Sequence, residues 1–231
     1  VNIESILVTF EVSKLDKFKL DTVFNPLNIH LIFFAELVLK LETFKLFKAL
    51  HSANIFSNVV TFDAHDTRVQ NAVPLMGFDN IIPSYQVLKS MFKNLPDFKP
   101  DKQHFMIVSP DEGAINRHMY YASVLGVDLG MFYKRRDYST IVNGRNPIVA
   151  HEYMGNDVAG KDVFIADDII SSGESMLDIA VELKKRKANK IYCYATYAIF
   201  TNGLDSFDKA YADGIIDGVF GTNLTYRSPA L

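Results

Sequence analysis

The most constraining feature of the sequence is the stretch VFIADDIISSGES at residues 163–175. Its four leading apolar residues predict a strand that is buried on both faces. Two acids, Asp167 and Asp168, follow at the end of this strand, and a short loop around Gly173 then leads into a predicted helix. A strand, a polar turn and a helix in this order favour an α/β fold.

Strands and helices alternate along the readable part of the chain. Apolar runs predict strands at residues 59–62, 104–108, 127–133, 162–166 and 190–200, and amphipathic runs predict helices at 35–50, 85–95, 114–125 and 174–187. A polar loop is expected at residues 137–160. This alternation predicts a mostly parallel sheet, and right-handed crossovers would bring the carboxyl ends of its strands together. Ligands bind at that edge of such sheets.

The loop after the two acids has the chemistry of an anion site. Amide groups at a helix start are unpaired, and the helix dipole favours a negative charge there. Three serine hydroxyls can add donors, and the two acids suit ribose hydroxyls or Mg²⁺, which prefers oxygen ligands. The stretch therefore predicts a phosphate loop. The alternative is an ordinary helix start in which Ser171 and Glu174 form a capping box.

Three shorter polar clusters follow other predicted strands. They are Asp63-Ala64-His65-Asp66, Ser109-Pro110-Asp111-Glu112-Gly113 and Lys134-Arg135-Arg136. Each has an ordinary interpretation, namely an exposed histidine, a turn aspartate and a solvated basic patch. Their common position at strand ends favours one shared site over three unrelated surface features.

Together, these four segments resemble the ribose-phosphate pyrophosphokinase family over residues 58–231. The longest one is similar to the phosphoribosyl pyrophosphate-binding signature, which type I phosphoribosyltransferases share. The other three resemble the family's Asp-x-His, Ser-Pro-Asp-x-Gly and Lys-Arg-Arg segments. The resemblance implies two phosphoribosyltransferase-like (Rossmann-like) parallel-sheet domains. We expect them at residues 1–98 and 99–231, with the first one truncated or divergent.

The resemblance also implies a reaction, in which pyrophosphate passes from ATP to C1 of ribose 5-phosphate and gives phosphoribosyl pyrophosphate and AMP. It implies Mg²⁺ held with ATP at His65 and Asp111, and catalysis by Lys134 and Arg136. The residues implied for ribose 5-phosphate are Asp167, Asp168, Ser171, Ser172, Gly173, Glu174 and Ser175. Such a reaction needs charge neutralisation and alignment more than covalent help.

Two departures from the family pattern keep other functions open. Glu174 stands where the family has a glycine in Asp-Thr-Gly-Gly-Thr, and neither Phe-x-Asp-x-Glu nor Arg-Gln-Asp, the ATP-contacting segments, precedes Asp63. One alternative is a type I phosphoribosyltransferase, which the Asp-x-His and Lys-Arg-Arg segments disfavour. The other is a non-catalytic homologue that binds sugar phosphate and regulates an active partner, which the missing ATP segments favour.

Composition bears on partners and location. A net charge of −3 gives no bulk attraction to nucleic acid or to an anionic membrane. The single cysteine, Cys193, excludes an internal disulfide, so we expect a reducing, cytoplasmic setting. The most apolar stretch, residues 29–41, contains charged residues and is too short to span a bilayer. By analogy with the family we expect a homo-oligomer.

Overall fold

The computed structural model describes residues 30–33, 58–72, 74, 77–95, 97–136 and 148–225. These residues divide into two compact units, of which the second comprises residues 84–222 and the first holds the described residues up to Pro83 together with 223–225. The helix predicted at residues 35–50 lies outside the described residues. The expected domain boundary between residues 98 and 99 stays a prediction.

The first unit contains a three-stranded parallel sheet in the order β1-β2-β3. Its strands are β1 (His30–Phe33), β2 (Asn58–Phe62) and β3 (Gly77–Ile81), and a 3₁₀ segment (Thr67–Ala72) lies between β2 and β3. In β2, Val59 and Thr61 are buried while their neighbours are half-buried. This alternation places one face of β2 in a core, and it confirms the strand predicted at residues 59–62.

The second unit is built on a six-stranded sheet in the order β6-β5-β4-β7-β8-β9. Its strands are β4 (Phe105–Ser109), β5 (Asp128–Arg136), β6 (Ile148–Met154), β7 (Asp162–Ile170), β8 (Ile191–Ala198) and β9 (Gly218–Gly221). Its helices are α1 (Ser84–Asn94), α2 (Ile115–Leu125), α3 (Glu174–Lys185) and α4 (Asp205–Ala212). Every strand pair is parallel except β5–β6. The predicted α/β fold with a mostly parallel sheet is confirmed.

Helices cover both faces of this sheet, and successive residues of β7 show the division. Val163 and Ile165 belong to a core cluster that includes α3 and α4, whereas Phe164 and Ala166 belong to a second cluster with α1 and α2. β4 and β8 are buried along their whole length, which explains their continuous apolar sequence. Each large side chain in these layers contributes about 1.5–3 kcal/mol by burial, so the sheet forms a rigid platform.

β7 is longer than the sequence predicted. The expected strand ended at Ala166, but β7 continues to Ile170 and includes both acids. The extension pairs with β8, from Asp167 opposite Ala195 to Ile170 opposite Ala198, whereas the pairing with β4 ends at Ile165. The two acids therefore lie where β7 has left one neighbouring strand and still follows the other.

The polar loop expected at residues 137–160 is wrong for residues 148–154, whereas residues 155–160 form turns and irregular backbone as predicted. Residues 148–154 form β6, which pairs antiparallel with β5 at the edge of the sheet. An edge strand with one apolar face needs no continuous apolar run, so its His151-Glu152 pair did not resemble the buried strands. No helix among the described residues is long and apolar enough to cross a membrane.

His118 of α2 forms a hydrogen bond with the β7 backbone just after β7 stops pairing with β4. Its Nε2 accepts a hydrogen bond from the Ala166 N–H at 2.9 Å, and its Nδ1–H donates to the Ala114 carbonyl at 2.8 Å. The ring is fully buried. This burial lowers the pKa of His118 to about 4 against the raising effect of the Ala114 bond. The neutral ring protonated on Nδ1 is the form that fits both partners.

The pH dependence of unfolding should reveal the bridge that the neutral His118 ring forms between Ala166 and Ala114. The folded ring stays neutral down to about pH 4, whereas the unfolded ring takes up a proton near pH 6.5. The unfolded state therefore binds more protons in this window, and stability falls as the pH decreases. Between pH 7 and pH 5, wild type should lose about 2 kcal/mol more than His118→Gln in urea unfolding. Equal losses in the two proteins would contradict the bridge.

Candidate functional site

Three of the four predicted segments come together at the carboxyl edge of the second unit's sheet. β5, β4 and β7 are adjacent and parallel, so their carboxyl ends lie on the same side. The segments at these ends are 109–113, 134–136 and 167–175. The fourth segment, which contains His65, follows β2 in the first unit. The structure thus assembles most of the predicted site on one platform.

The two acids of β7 are joined by a hydrogen bond. Asp168 is only 3% exposed, and its N–H donates to Asp167 Oδ1 at 2.8 Å. Burial raises the pKa of Asp167 most, followed by a hydrogen bond to the Asp168 side chain and the negative charge of Asp168, whereas the Asp168 N–H bond and the charge of Arg117 oppose the rise. A pair that retains a proton can both donate and accept hydrogen bonds. It therefore suits sugar hydroxyls, which do the same.

The loop after the acids leaves the start of α3 without a side-chain cap. Gly173 is the N-cap, and no side chain caps this end, so the capping box considered for Ser171 and Glu174 does not form. The Ser171 hydroxyl instead lies 3.4 Å from Thr201 Oγ1, and the Glu174 side chain is exposed. The Glu174 N–H has only a long contact, 3.5 Å, to Ser172 Oγ. An anion is the partner that this helix start favours.

Asp167 and the loop share one pocket. Its lining residues are Asp167, Ile169, Ile170, Ser171, Ser172, Gly173, Ser175 and Met176. Two residues predicted for ribose 5-phosphate do not line it, namely Asp168, which is buried, and Glu174, which is exposed. The negative side chain of Glu174 is therefore not part of the surface that would meet a phosphate.

The expected metal residues lie in different units, His65 in the first and Asp111 in the second. Asp111 acts as a turn residue, because its Oδ1 accepts the Ala114 N–H at 3.1 Å and its carbonyl accepts the Ser109 hydroxyl at 2.8 Å. No cluster of three or more metal-ligating side chains occurs among the described residues. Mg²⁺ often takes only one or two carboxylates together with substrate phosphates, so the carboxylate of Asp111 is a donor of the right type. Its metal role stays a prediction.

Lys134 and Arg136 lie in the last part of β5. This part extends beyond the final pairing with β4, Ser109 opposite Met131, and pairs only with β6, where Lys134 stands opposite His151. The register is irregular between Arg135 and Arg136. The backbone of this segment therefore runs beyond the carboxyl end of β4 while it still pairs with β6. The first part of the expected polar loop, residues 137–147, lies outside the described residues, and the catalytic roles stay predictions.

Sequence reasoning missed two residues of α2 that meet β7. His118 binds the Ala166 N–H, and Arg117 Nη1 lies 3.8 Å from Asp167 Oδ1. One signal was present in the sequence, because an Arg-His pair falls within the first turn of a helix, where the dipole disfavours cations. Basic residues at such a position indicate a specific partner.

Gly173 should be irreplaceable in the loop. Its φ of +84° lies in the left-handed region, and an added Cβ would overlap the Phe207 ring of α4. Gly160 is a matched control, with φ +74° and nothing near an added Cβ. Gly160→Ala should cost about 1 kcal/mol from backbone strain alone, and Gly173→Ala should cost clearly more in equilibrium unfolding. Equal costs would show that the Phe207 contact does not constrain the loop.

Comparison with known proteins agrees with this geometry. A model of the phosphoribosyl transferase domain matches residues 79–213, more than half of the chain. The ribose-phosphate pyrophosphokinase of Pasteurella multocida is 31% identical over 75% of this chain and 50% of its own length. The enzyme of the same name from Pyrococcus furiosus is 31% identical over 67% of this chain and 50% of its own length. The chain therefore spans about half the length of these relatives.

A solved structure supports the fold. Phosphoribosylpyrophosphate synthetase from Mycobacterium smegmatis aligns with 88% of this chain and 64% of its own, with a TM-score of 0.68 and 19% sequence identity. Since the domain model covers more than half of the chain, the protein belongs to the phosphoribosyl transferase domain family, and the curated relatives named above show its similarity to ribose-phosphate pyrophosphokinases.

Proposed function

We propose that the protein is a ribose-phosphate pyrophosphokinase that transfers pyrophosphate from ATP to ribose 5-phosphate. The observation that supports this most directly is the pocket shared by Asp167 and the loop at the start of α3. It offers hydroxyl-binding and anion-binding groups side by side at the carboxyl edge of a parallel sheet, where ligands bind in such folds. The kinship with ribose-phosphate pyrophosphokinases supplies the reaction class.

In this proposal the pocket holds the sugar phosphate. The loop hydroxyls of Ser171, Ser172 and Ser175 and the first amides of α3 receive the 5-phosphate, which the positive end of the helix dipole favours. Asp167, supported by Asp168, accepts hydrogen bonds from the ribose hydroxyls. The pocket thereby fixes the sugar at both ends and leaves its C1 hydroxyl to react.

The transfer step joins the C1 oxygen to the β-phosphorus of ATP. The bond between that phosphorus and the bridging oxygen of the α-phosphate breaks, AMP leaves, and the C1 hydroxyl gives up its proton. Lys134 and Arg136 would stabilise the charge that builds on the transferred group, Lys as a point charge and Arg as a planar fork. Mg²⁺ bound with ATP would neutralise phosphate charge; Asp111 of the second unit and, separately, His65 of the first stay its predicted ligands. The expected homo-oligomer and cytoplasmic setting remain part of this proposal.

A second candidate is a non-catalytic homologue that binds sugar phosphate and regulates an active partner. The observation that keeps it in view is that residues 1–62 contain neither Phe-x-Asp-x-Glu nor Arg-Gln-Asp. The pocket on β7 and α3 would serve both functions, because sugar phosphate binding is common to them. The pyrophosphokinase and the regulatory homologue differ in ATP turnover, which only the pyrophosphokinase would show.

AMP formation should depend on the sugar. The full chain is incubated with ATP, Mg²⁺ and ribose 5-phosphate, each omitted in turn, and AMP is measured. We expect AMP only with all three components, because transfer needs both substrates aligned and neutralised. Calorimetric binding of ribose 5-phosphate without AMP formation would favour the regulatory homologue. Failure to bind the sugar phosphate would refute both functions.

Lys134→Ala should abolish transfer without loss of sugar binding. Removing a cation that acts on transition-state charge typically lowers the rate by about 10²–10³-fold, and the affinity for ribose 5-phosphate should not change. Lys185→Ala is the matched control, since Lys185 is an exposed lysine on α3 with a weak surface ion pair to Glu182. Normal AMP formation by Lys134→Ala would overturn the catalytic assignment.

A further inference from the structure

A groove lies between α4 and β9, the strand at one edge of the second unit's sheet. Its volume is about 360 Å³, and it shares no lining residue with the pocket that contains Asp167. Its lining is mostly apolar. The helix contributes Phe207, Asp208 and Tyr211, and the strand contributes Gly218, Val219 and Gly221. The groove is therefore a second candidate binding site, and what it binds is independent of the proposed function.

β9 offers backbone hydrogen-bonding groups beside this groove. It is the last strand of the sheet and pairs with β8, and its outer edge has no strand partner within the part of the chain that the structure describes. Edge strands are commonly protected by charged residues or proline, but β9 reads Gly-Val-Phe-Gly, so its protection is limited to its length of four residues. A glycine at each end also lets another backbone approach closely. The edge is thus open to one more strand.

The side chains of the groove specify which segment would fit beside β9. Phe207 and Ile216 are buried and line its base, whereas Tyr211 is 64% exposed. Such a surface favours a large apolar side chain that can pack against the aromatic rings. Asp208 is exposed, and residues 205–213 carry three aspartates and one lysine. A basic residue near the apolar one would therefore be attracted to this side of the groove.

We propose that the groove between α4 and β9 docks an extended segment of a partner protein that carries a large apolar residue and, two positions away, a lysine or arginine. The segment adds a strand to β9, because main-chain hydrogen bonds to a free sheet edge supply the affinity in this mode of recognition. Side chains two positions apart lie on the same face of a strand. The apolar side chain thus enters the groove while the basic side chain reaches Asp208.

The fluorescein-labelled peptide Thr-Lys-Thr-Phe-Thr-Lys-Thr tests this pattern in either strand direction. Its fluorescence anisotropy should rise to saturation on titration with the full chain. Replacing the phenylalanine by serine, or both lysines by glutamate, should raise the Kd by about tenfold or more, because each change removes a recognised group. Absence of saturable binding, or equal binding of the three peptides, would overturn the proposal.

Backbone N-methylation distinguishes strand addition from simple burial of the phenylalanine. Alternate residues of a strand direct their N–H groups to the same edge. One peptide is methylated on the phenylalanine and both lysines, and another on the threonines. Only one of the two should lose binding, by about tenfold or more, since only one set of N–H groups faces β9. Equal losses in both peptides, or no loss in either, would contradict strand addition.

Two pairs of variants locate the peptide on the protein. Tyr211→Ala should raise the Kd about tenfold, whereas Tyr120→Ala, at a tyrosine of α2 that is 56% exposed, should change it by less than about twofold. Asp208→Asn should raise the Kd about threefold at low salt and less at high salt. Asp213→Asn is its control, since Asp213 is exposed and outside the groove lining. Equal effects within either pair would overturn the assignment to this groove.

Light scattering tests a second copy of this chain as the occupant. The number of copies in the assembly should stay the same in Tyr211→Ala and after addition of the peptide, because the proposed segment belongs to a different protein. A smaller assembly in either case would show that copies of this chain meet at the groove. That result would overturn the partner segment.

Discussion

The site depends on one buried imidazole. Where β4 and β7 separate, the Ala166 N–H has lost the strand on one side, and an unpaired buried backbone group costs about 1–3 kcal/mol. His118 satisfies this donor and ties the same ring to the first turn of α2 at Ala114. The acid pair follows immediately on β7, and the Asp111 turn immediately precedes α2. The His118 side chain thus links the β7 segment that carries the two acids to the helix that follows the Asp111 turn.

The pocket lies beside the part of β7 that no longer pairs with β4. β7 continues along β8 for the length of its extension, so the backbone of the two acids remains supported by β8, and Asp167 lines the pocket. Gly173 then turns the chain sharply into α3, with Phe207 packed where a Cβ would stand. The pocket is consequently bounded by elements whose own packing is fixed in the core, which is how a loop can present ligand groups without moving.

The sequence predicted what depends on local pattern and missed what depends on distant partners. β4 and β8 were predictable because both faces are buried and their apolar residues run without a break. The extension of β7 was not, since acidic residues join a strand only if a neighbour such as β8 is there to pair. The position of His118 in the first turn of α2 hinted at a partner, but local pattern could not identify Ala166, because it lies 48 residues away. The predicted phosphate loop could be proposed from the sequence because strand, acids, glycine and helix all fall within one short segment.

Glu174 affects the start of α3 differently when the pocket holds an anion and when it does not. In the first turn of α3 its negative charge interacts favourably with the dipole, by about 0.3–1 kcal/mol. This term stabilises the loop when no anion is bound, and a phosphate in the pocket would compete for the same dipole. Because the side chain is exposed and outside the pocket lining, salt screens its charge more than it screens a partly enclosed phosphate. The departure from the family glycine is thus compatible with phosphate binding and adds support to the helix when the pocket holds no anion.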